Sequence, residues 1–292
     1  MRVTTSSVLA FVEERWCSRY QSHLASDLGL SDAVRRFPGS NLIHAYMLHH
    51  FHHFCPAAVK THRRYFKHNN RGFGEDAFHA VWWLLFQQYK PANCLEIGVY
   101  RGQTISLWSL VGRLLGYSPW VAGISPFSAA GDEVSRYDPG IDYFADALQA
   151  FRHFGLPQPE LFRAYSTAPE ARIALASRHW DLIYIDGSHD YEVVLSDYRQ
   201  SVQQLKPGGL LAMDDASAGT SYAPPRFSFA GHPGPSRVAA QHASRELVPV
   251  AAVGHLNVFQ LPGAPARLAD RELAEARLRT MENGEHAAMN AG

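Results

Sequence analysis

Short apolar runs separated by stretches of helical periodicity organise the central part of this chain. Cys94 to Ile97, Trp120 to Ile124, Glu160 to Ala164, Asp181 to Ile185 and Leu210 to Met213 have the length and β-branched or aliphatic character of buried strands. Between them, residues near Thr104 to Leu115, Asp142 to Phe154, Pro169 to Ser177 and Tyr191 to Gln204 repeat apolar positions every three or four residues. Five strands alternating with helices predict right-handed crossovers and a parallel sheet. Leu247 to Val253 and Leu256 to Leu261, joined at Gly254 and His255, predict a terminal antiparallel hairpin. The expected fold class is therefore α/β, a seven-stranded sheet of five parallel strands plus that hairpin, flanked by helices.

The pattern differs on either side of this region. Before about residue 90 the chain is rich in His, Arg and aromatic residues, and Val8 to Trp16, Asn41 to Phe54 and Asp76 to Gln88 predict helices, the last ended by Lys90 and Pro91. Residues 1–90 read as a helical cap or oligomerisation region, residues 91–263 as the α/β domain, and residues 264–292 as a tail. The tail pattern predicts a helix from Leu268 to Arg279 before a disordered end. Between Ala216 and Ser236 the sequence turns to Ser, Gly and Pro over a span too long for an ordinary connection, which predicts a substrate loop.

Composition narrows the function classes. The 27 basic and 27 acidic residues balance, so there is no electrostatic argument for a nucleic-acid or anionic-membrane partner. Cys17, Cys55 and Cys94 are odd in number and show no paired spacing, and no apolar window has the length of a membrane span. These features predict a soluble, cytoplasmic protein without a nucleic-acid or membrane partner.

Chemistry concentrates where strands should end. Asp186 and His189 follow the fourth strand, and Asp214 and Asp215 follow the fifth. The carboxyl ends of neighbouring parallel strands converge on one crevice. Carboxylates on adjacent strands, about 4.8 Å apart, can share a hard cation such as magnesium, so Asp186, Asp214 and Asp215 are candidate metal ligands. The alternative is that Asp186 caps a helix and the other two are solvated. His189, with an ordinary pKa of about 6.5, suits a proton acceptor beside a metal-bound hydroxyl; otherwise it is a loop residue held by its neighbours. Glu96, Gly98 and Gly102 follow the first strand, where glycines let the backbone approach a ligand. Their G-x-x-x-G spacing argues against the G-x-G-x-x-G of dinucleotide sites.

The histidines from His44 to His79 scatter too broadly for a metal site and read as polar packing, and Trp82 to Phe86 reads as core. Arg63, Arg64, Lys67 and Arg71 read either as a solvated helix face or as a cap meeting an anionic group.

Together, Glu96-x-Gly98-x-x-x-Gly102, the Asp186 strand end and the Lys206 to Asp215 segment resemble the class I S-adenosylmethionine-dependent methyltransferases, with a Rossmann-like sheet. The similarity extends to their metal-dependent O-methyltransferases, including the macrocin O-methyltransferase and cephalosporin hydroxylase-like branch, at Ile185 to Tyr191 and at Asp214 and Asp215. The resemblance implies that Glu96, Gly98, Tyr100, Gly102, Thr104, Ser125, Ser166 and Asp186 contact S-adenosylmethionine, and that His189 is the base of the methyl transfer. It implies a divalent cation, magnesium, and a small-molecule hydroxyl as acceptor, on a sugar or other natural-product intermediate, beneath the loop that carries Tyr222, Phe227, Phe229 and His232. One position departs from the family. Its second strand usually ends in an acidic residue for the ribose, whereas this chain has Ser125, an uncharged group with a single hydroxyl. That keeps open two alternatives, a cofactor-binding scaffold without turnover and a nicotinamide-dependent oxidoreductase.

Overall fold

The computed structural model describes residues 5–68 and 71–263. Five helices precede the sheet: α1 (Thr5–Cys17), α2 (Leu30–Arg36), α3 (Ser40–His53), α4 (Ala57–Lys67) and α5 (Asp76–Tyr89). There follow β1 (Asn93–Ile97), α6 (Gln103–Leu114), β2 (Trp120–Ser125), α7 (Tyr143–His153), β3 (Glu160–Arg163), α8 (Pro169–Ala176), β4 (Trp180–Ile185), α9 (Tyr191–Gln204) and β5 (Leu205–Met213). A helical segment that starts as α10 (Pro233–Val238) then leads to β6 (Val248–Val253) and β7 (Leu256–Gln260).

The sheet order is β3-β2-β1-β4-β5-β7-β6, with β1 to β5 parallel and β7 antiparallel to both of its neighbours. This is the predicted mixed sheet, and the order reverses between β1 and β4, where a crevice opens above the carboxyl ends. Among the described residues no helix is long and apolar enough to cross a membrane.

Strand periodicity splits the core between two faces. Leu95, Ile97, Ile183, Ile185, Leu211 and Met213 pack under α8, α9 and α10, whereas Cys94, Leu182, Tyr184, Leu210 and Ala212 pack under the amino-terminal helices and α6. Glu96 pairs in register with Tyr184, and Tyr184 with Ala212, so Glu96 lies on the face covered by the amino-terminal helices. The same alternation carries Asp186 and Asp214 to that face one step beyond the strand ends. Trp82, Trp108 and Tyr184 pack edge to face there, with ring centroids 5.1 to 6.2 Å apart.

Several local details differ from the sequence pattern. Two further helices, α2 and α4, are present that the apolar pattern leaves unassigned; α4 carries the basic stretch and buries Val59, His62, Arg63 and Phe66 on one face. β5 begins at Leu205 and runs through the Lys206 to Gly209 turn. The expected substrate loop is cut short by α10, which starts at Pro233. The basic stretch is neither a solvated face nor a ligand-facing cluster as a whole: buried Arg63 pairs with Asp76 at 2.8 Å, Lys67 with Glu14 at 2.6 Å and Arg71 with Asp146 at 2.6 Å. The predicted tail helix lies outside the described residues.

Candidate functional site

Two cavities meet above the carboxyl ends of β1, β4 and β5. The larger, about 400 Å³, is walled on one side by Gly72, Phe73, Gly74, Phe78, His79 and Trp82, so the amino-terminal region of the chain closes over its own sheet edge. The smaller, about 200 Å³, lies over β2 and holds Ser125, Tyr165 and Ser166. Gly98, Tyr100, Tyr137, Asp186 and Gly187 line both, so the two cavities share a wall.

Local sequence explains how the strand ends reach this space. Gly98 has φ +104, and a Cβ there would meet the Asp186 carbonyl oxygen at 2.0 Å. Only glycine lets the chain leaving β1 close against the chain leaving β4. Gly102 caps α6 with φ +79, where a Cβ would meet Ala147 at 3.1 Å, and it is not among the residues that line either cavity. The side chain that caps α9 is Asp190, which accepts from the Glu192 and Val193 amides, so Asp186 is free of that duty. Asp215 sits in the left-handed region at φ 54, a conformation that non-glycine residues adopt sparingly and that recurs at functional sites.

Glu96 is buried at 3 % exposure on the floor of the larger cavity. Thr104 and the Ile105 amide donate to its carboxylate, but Oε2 has no partner among the described residues. Burial and, less strongly, the Asp214 charge push its pKa up to about 8. Asp186 is held well above the ordinary carboxylate range by burial and by the carboxylates of Asp214, Glu96 and Asp215.

Asp214 and Asp215, by contrast, are fully engaged. Tyr184 donates to Asp214 Oδ2 at 2.7 Å, and His255 Nδ1 lies 2.9 Å from Asp214 Oδ1 and 3.2 Å from Asp215 Oδ1. His189 Nε2 meets Asp215 Oδ2 at 2.8 Å. On its far side His189 Nδ1 meets Asp132 Oδ2 at 2.6 Å, and the same oxygen accepts the His189 amide at 2.9 Å. Burial acts to lower the His189 pKa, but hydrogen bonds and charge from Asp215 and Asp132 overcome it and hold the imidazole above its ordinary value. Burial likewise opposes ionisation of Asp132, yet its amide and imidazole donors bring it down to about 2. The stronger cage around His255 pushes that imidazole up to about 12 despite burial.

Among the described residues two groups bring three metal-ligating atoms within 4.8 Å of one another: Asp214, Asp215 and His255, and His189, Asp215 and His232. Asp186 belongs to neither and stands beside them. Of the residues expected at the cofactor, Glu96, Gly98, Tyr100, Thr104 and Asp186 line the larger cavity, while Ser125 and Ser166 line the smaller. Ser166 also donates to the buried Asp197 at 3.0 Å, which anchors the β3 end to α9. Of the loop residues expected over the acceptor, Phe229 and His232 reach the larger cavity, whereas Tyr222 and Phe227 pack on His44 instead.

A model of the family described as a methyltransferase domain matches residues 95–216. Residues 95–216 are thus similar to that domain. Its sheet is of the class I, Rossmann-like kind, and both acidic strand ends and the Glu96 turn fall inside the matched span. No curated protein matches the chain. Similar solved structures include an O-methyltransferase from Bacillus cereus in complex with SAH, 14% identical over 70% of this chain and 91% of that one, with a TM-score of 0.47. Another is the SAH-bound methyltransferase PaMTH1 of Podospora anserina, 13% identical over 71% of this chain and 88% of that one, with a TM-score of 0.49. A third is the O-methyltransferase TomG from Streptomyces achromogenes, in complex with SAM and involved in tomaymycin synthesis, 11% identical over 89% and 100%, with a TM-score of 0.44.

Sequence reasoning missed three residues that organise the site: Asp132, His255 and Glu75. Asp132 lies in the irregular 126–142 connection and His255 at a hairpin turn, positions without periodicity. Glu75, just before α5, places its carboxylate 2.7 Å from His44 and 3.4 Å from His255.

Proposed function

We propose that the protein transfers a methyl group from S-adenosylmethionine to a hydroxyl of a small molecule, a sugar or another natural-product intermediate, with a divalent cation assisting. The observation that carries this reading is the uncompensated acidity of the larger cavity: Glu96 Oε2 without a partner among the described residues, and Asp186 beside the like charges of Asp214, Glu96 and Asp215. Such a surface calls for cationic ligands. Glu96 and Thr104 would hold the amino-acid end of the cofactor, and Ser125 and Ser166 its nucleoside end. Asp186, Asp214 and Asp215 supply oxygen donors suited to magnesium or manganese.

When bound, the cofactor supplies an already activated methyl group, and the cation supplies Lewis acidity to the acceptor oxygen. The protein's own contribution is alignment and custody of a proton. Phe73, Phe78 and Trp82 on one side and Phe229 on the other give the larger cavity apolar walls. His189 is oriented by Asp132 at Nδ1, and its Nε2, which meets Asp215 Oδ2 at 2.8 Å, would exchange that contact to take the acceptor's proton. Its raised pKa makes it a strong acceptor once it has lost its own proton. Three free cysteines support a reducing, cytoplasmic setting.

Mass spectrometry tests the reading by following S-adenosylhomocysteine formation against a panel of hydroxylated acceptors, with and without chelator. Chelator-sensitive product is expected. Failure of S-adenosylmethionine to bind in calorimetry, with or without magnesium, would overturn it. Ser125 favours a second reading, a scaffold that binds the cofactor without turnover; binding with no product from any acceptor would favour it.

A further inference from the structure

An alternating chain of acids and imidazoles ties the amino-terminal cap to the acidic strand ends. Glu75 Oε2 faces His44 Nε2 at 2.7 Å, and Oε1 accepts the hydroxyl of Ser228 from the 216–236 loop. The same Oε1 lies 3.4 Å from His255 Nε2. His255 then reaches the Oδ1 atoms of both Asp214 and Asp215, Asp215 meets His189, and His189 meets Asp132. The order Glu75, His255, Asp215, His189, Asp132 thus joins five separate parts of the chain without a like-charged neighbour in the series.

The geometry gives Glu75 control over the middle of this chain. Side-chain exposure is 13 % for Glu75 and 6 % for His255, so water does not replace the contact readily. The His255 ring is held between Phe78 and Phe229, with centroids 4.7 and 4.6 Å away. Those apolar faces fix its plane but not its position along the plane. That position is set by acids at its two nitrogens: Glu75 behind, Asp214 and Asp215 in front. Because His255 holds one oxygen of each strand-end carboxylate, its placement decides which way the remaining oxygens point. Outer partners that orient ligating groups contribute about 10- to 100-fold to metal affinity or activity.

We infer that Glu75 is a positioning residue for the methyl transfer: through His255 it sets the orientation of Asp214 and Asp215 toward a divalent cation, and through Ser228 it makes that orientation depend on the seated 216–236 loop. This rests on the reading that these carboxylates hold a cation. It assigns the amino-terminal region a part in the site beyond covering it.

Manganese binding to the full-length protein, followed by loss of the free-ion electron paramagnetic resonance signal, is the direct test. Wild type, Glu75→Gln, His255→Gln, the double variant and Ser228→Ala are compared, with S-adenosylmethionine affinity measured by calorimetry on each. Glu75→Gln should weaken manganese binding about tenfold and lower kcat similarly, with cofactor affinity and KM for cofactor changed less than about twofold. The double variant should bind no more weakly than His255→Gln alone, since the first residue acts through the second. Ser228→Ala, the milder change, should weaken manganese binding in the same direction by about two- to threefold if loop seating matters. Unchanged manganese affinity in Glu75→Gln, or losses from Glu75→Gln and His255→Gln that multiply, would overturn the inference. Absence of manganese binding by wild type would remove the cation reading itself, a distinct result seen without any substitution.

Discussion

Replacing Glu96 by glutamine separates what this residue costs the fold from what it offers a ligand. In the unfolded chain a glutamate ionises near 4.5, but in the folded protein burial and the Asp214 charge delay ionisation to about 8. Folding therefore takes up a proton between those two values, and the wild type loses stability steadily as pH rises from 4.5 to about 8, then levels off. At about 1.4 kcal/mol per pH unit, that interval corresponds to about 5 kcal/mol. Glutamine retains an oxygen to accept from Thr104 and the Ile105 amide but has no charge to desolvate. Urea denaturation at about pH 5, 7 and 9 should show the Glu96→Gln variant close to wild type at the lowest value and several kcal/mol more stable at the highest. A stability difference that is the same at all three, or that favours wild type at the alkaline end, would refute the reasoning. On the proposed reading the same substitution removes a charge-assisted contact, and cofactor affinity should fall roughly 10- to 100-fold.

Four further outcomes follow from the geometry. His189→Ala should lower turnover by about 10²- to 10⁴-fold while calorimetric cofactor affinity stays within about twofold; an equal loss of binding would remove its role as base. Because Asp215 and Asp132 raise the His189 pKa, turnover should climb with pH along a limb centred above the ordinary histidine value, and Asp132→Asn should move that limb to lower pH in a pH–rate profile. Gly98→Ala forces a Cβ to within 2.0 Å of the Asp186 carbonyl at φ +104, so thermal denaturation should report a loss of about 3 kcal/mol or more. Ser125→Asp restores a charged acceptor on the wall of the smaller cavity, and calorimetry should show S-adenosylmethionine binding about tenfold tighter.

The parallel core was legible because its strands are covered on both faces, so Asp181 to Ile185 and Leu210 to Met213 stand out as apolar runs with acids at their ends. Period-two alternation then carries Glu96, Asp186 and Asp214 to one face, which is why the strand-end cluster could be anticipated. The helix α2 was not legible because it spans only seven residues, and α4 was passed over because two of the four residues on its buried face, His62 and Arg63, are polar and stand beside apolar Val59 and Phe66 at helical spacing. The partners of the basic stretch were equally hidden. Arg71 finds Asp146 across the α/β boundary, a pairing that no local spacing announces. His189 was readable from its neighbours, but not the two acids that bracket it. Asp132 owes its place to a loop that folds back through amide contacts at Val134 and Ser135.

His255 shows what reversal of a single strand does to the grammar of such a sheet. In a parallel strand, the residue that reaches the ligand-facing rim follows the apolar run, as Asp186 and Asp214 do. β7 runs the other way beside β5, with Met213 opposite Asn257. The rim position of β7 is therefore its beginning, and the residue that delivers an imidazole to the carboxylates precedes the apolar run. In mixed sheets of this order, functional side chains on the reversed strand should be sought one or two residues upstream of its hydrophobic stretch, at the turn, where a search tuned to strand exits never looks.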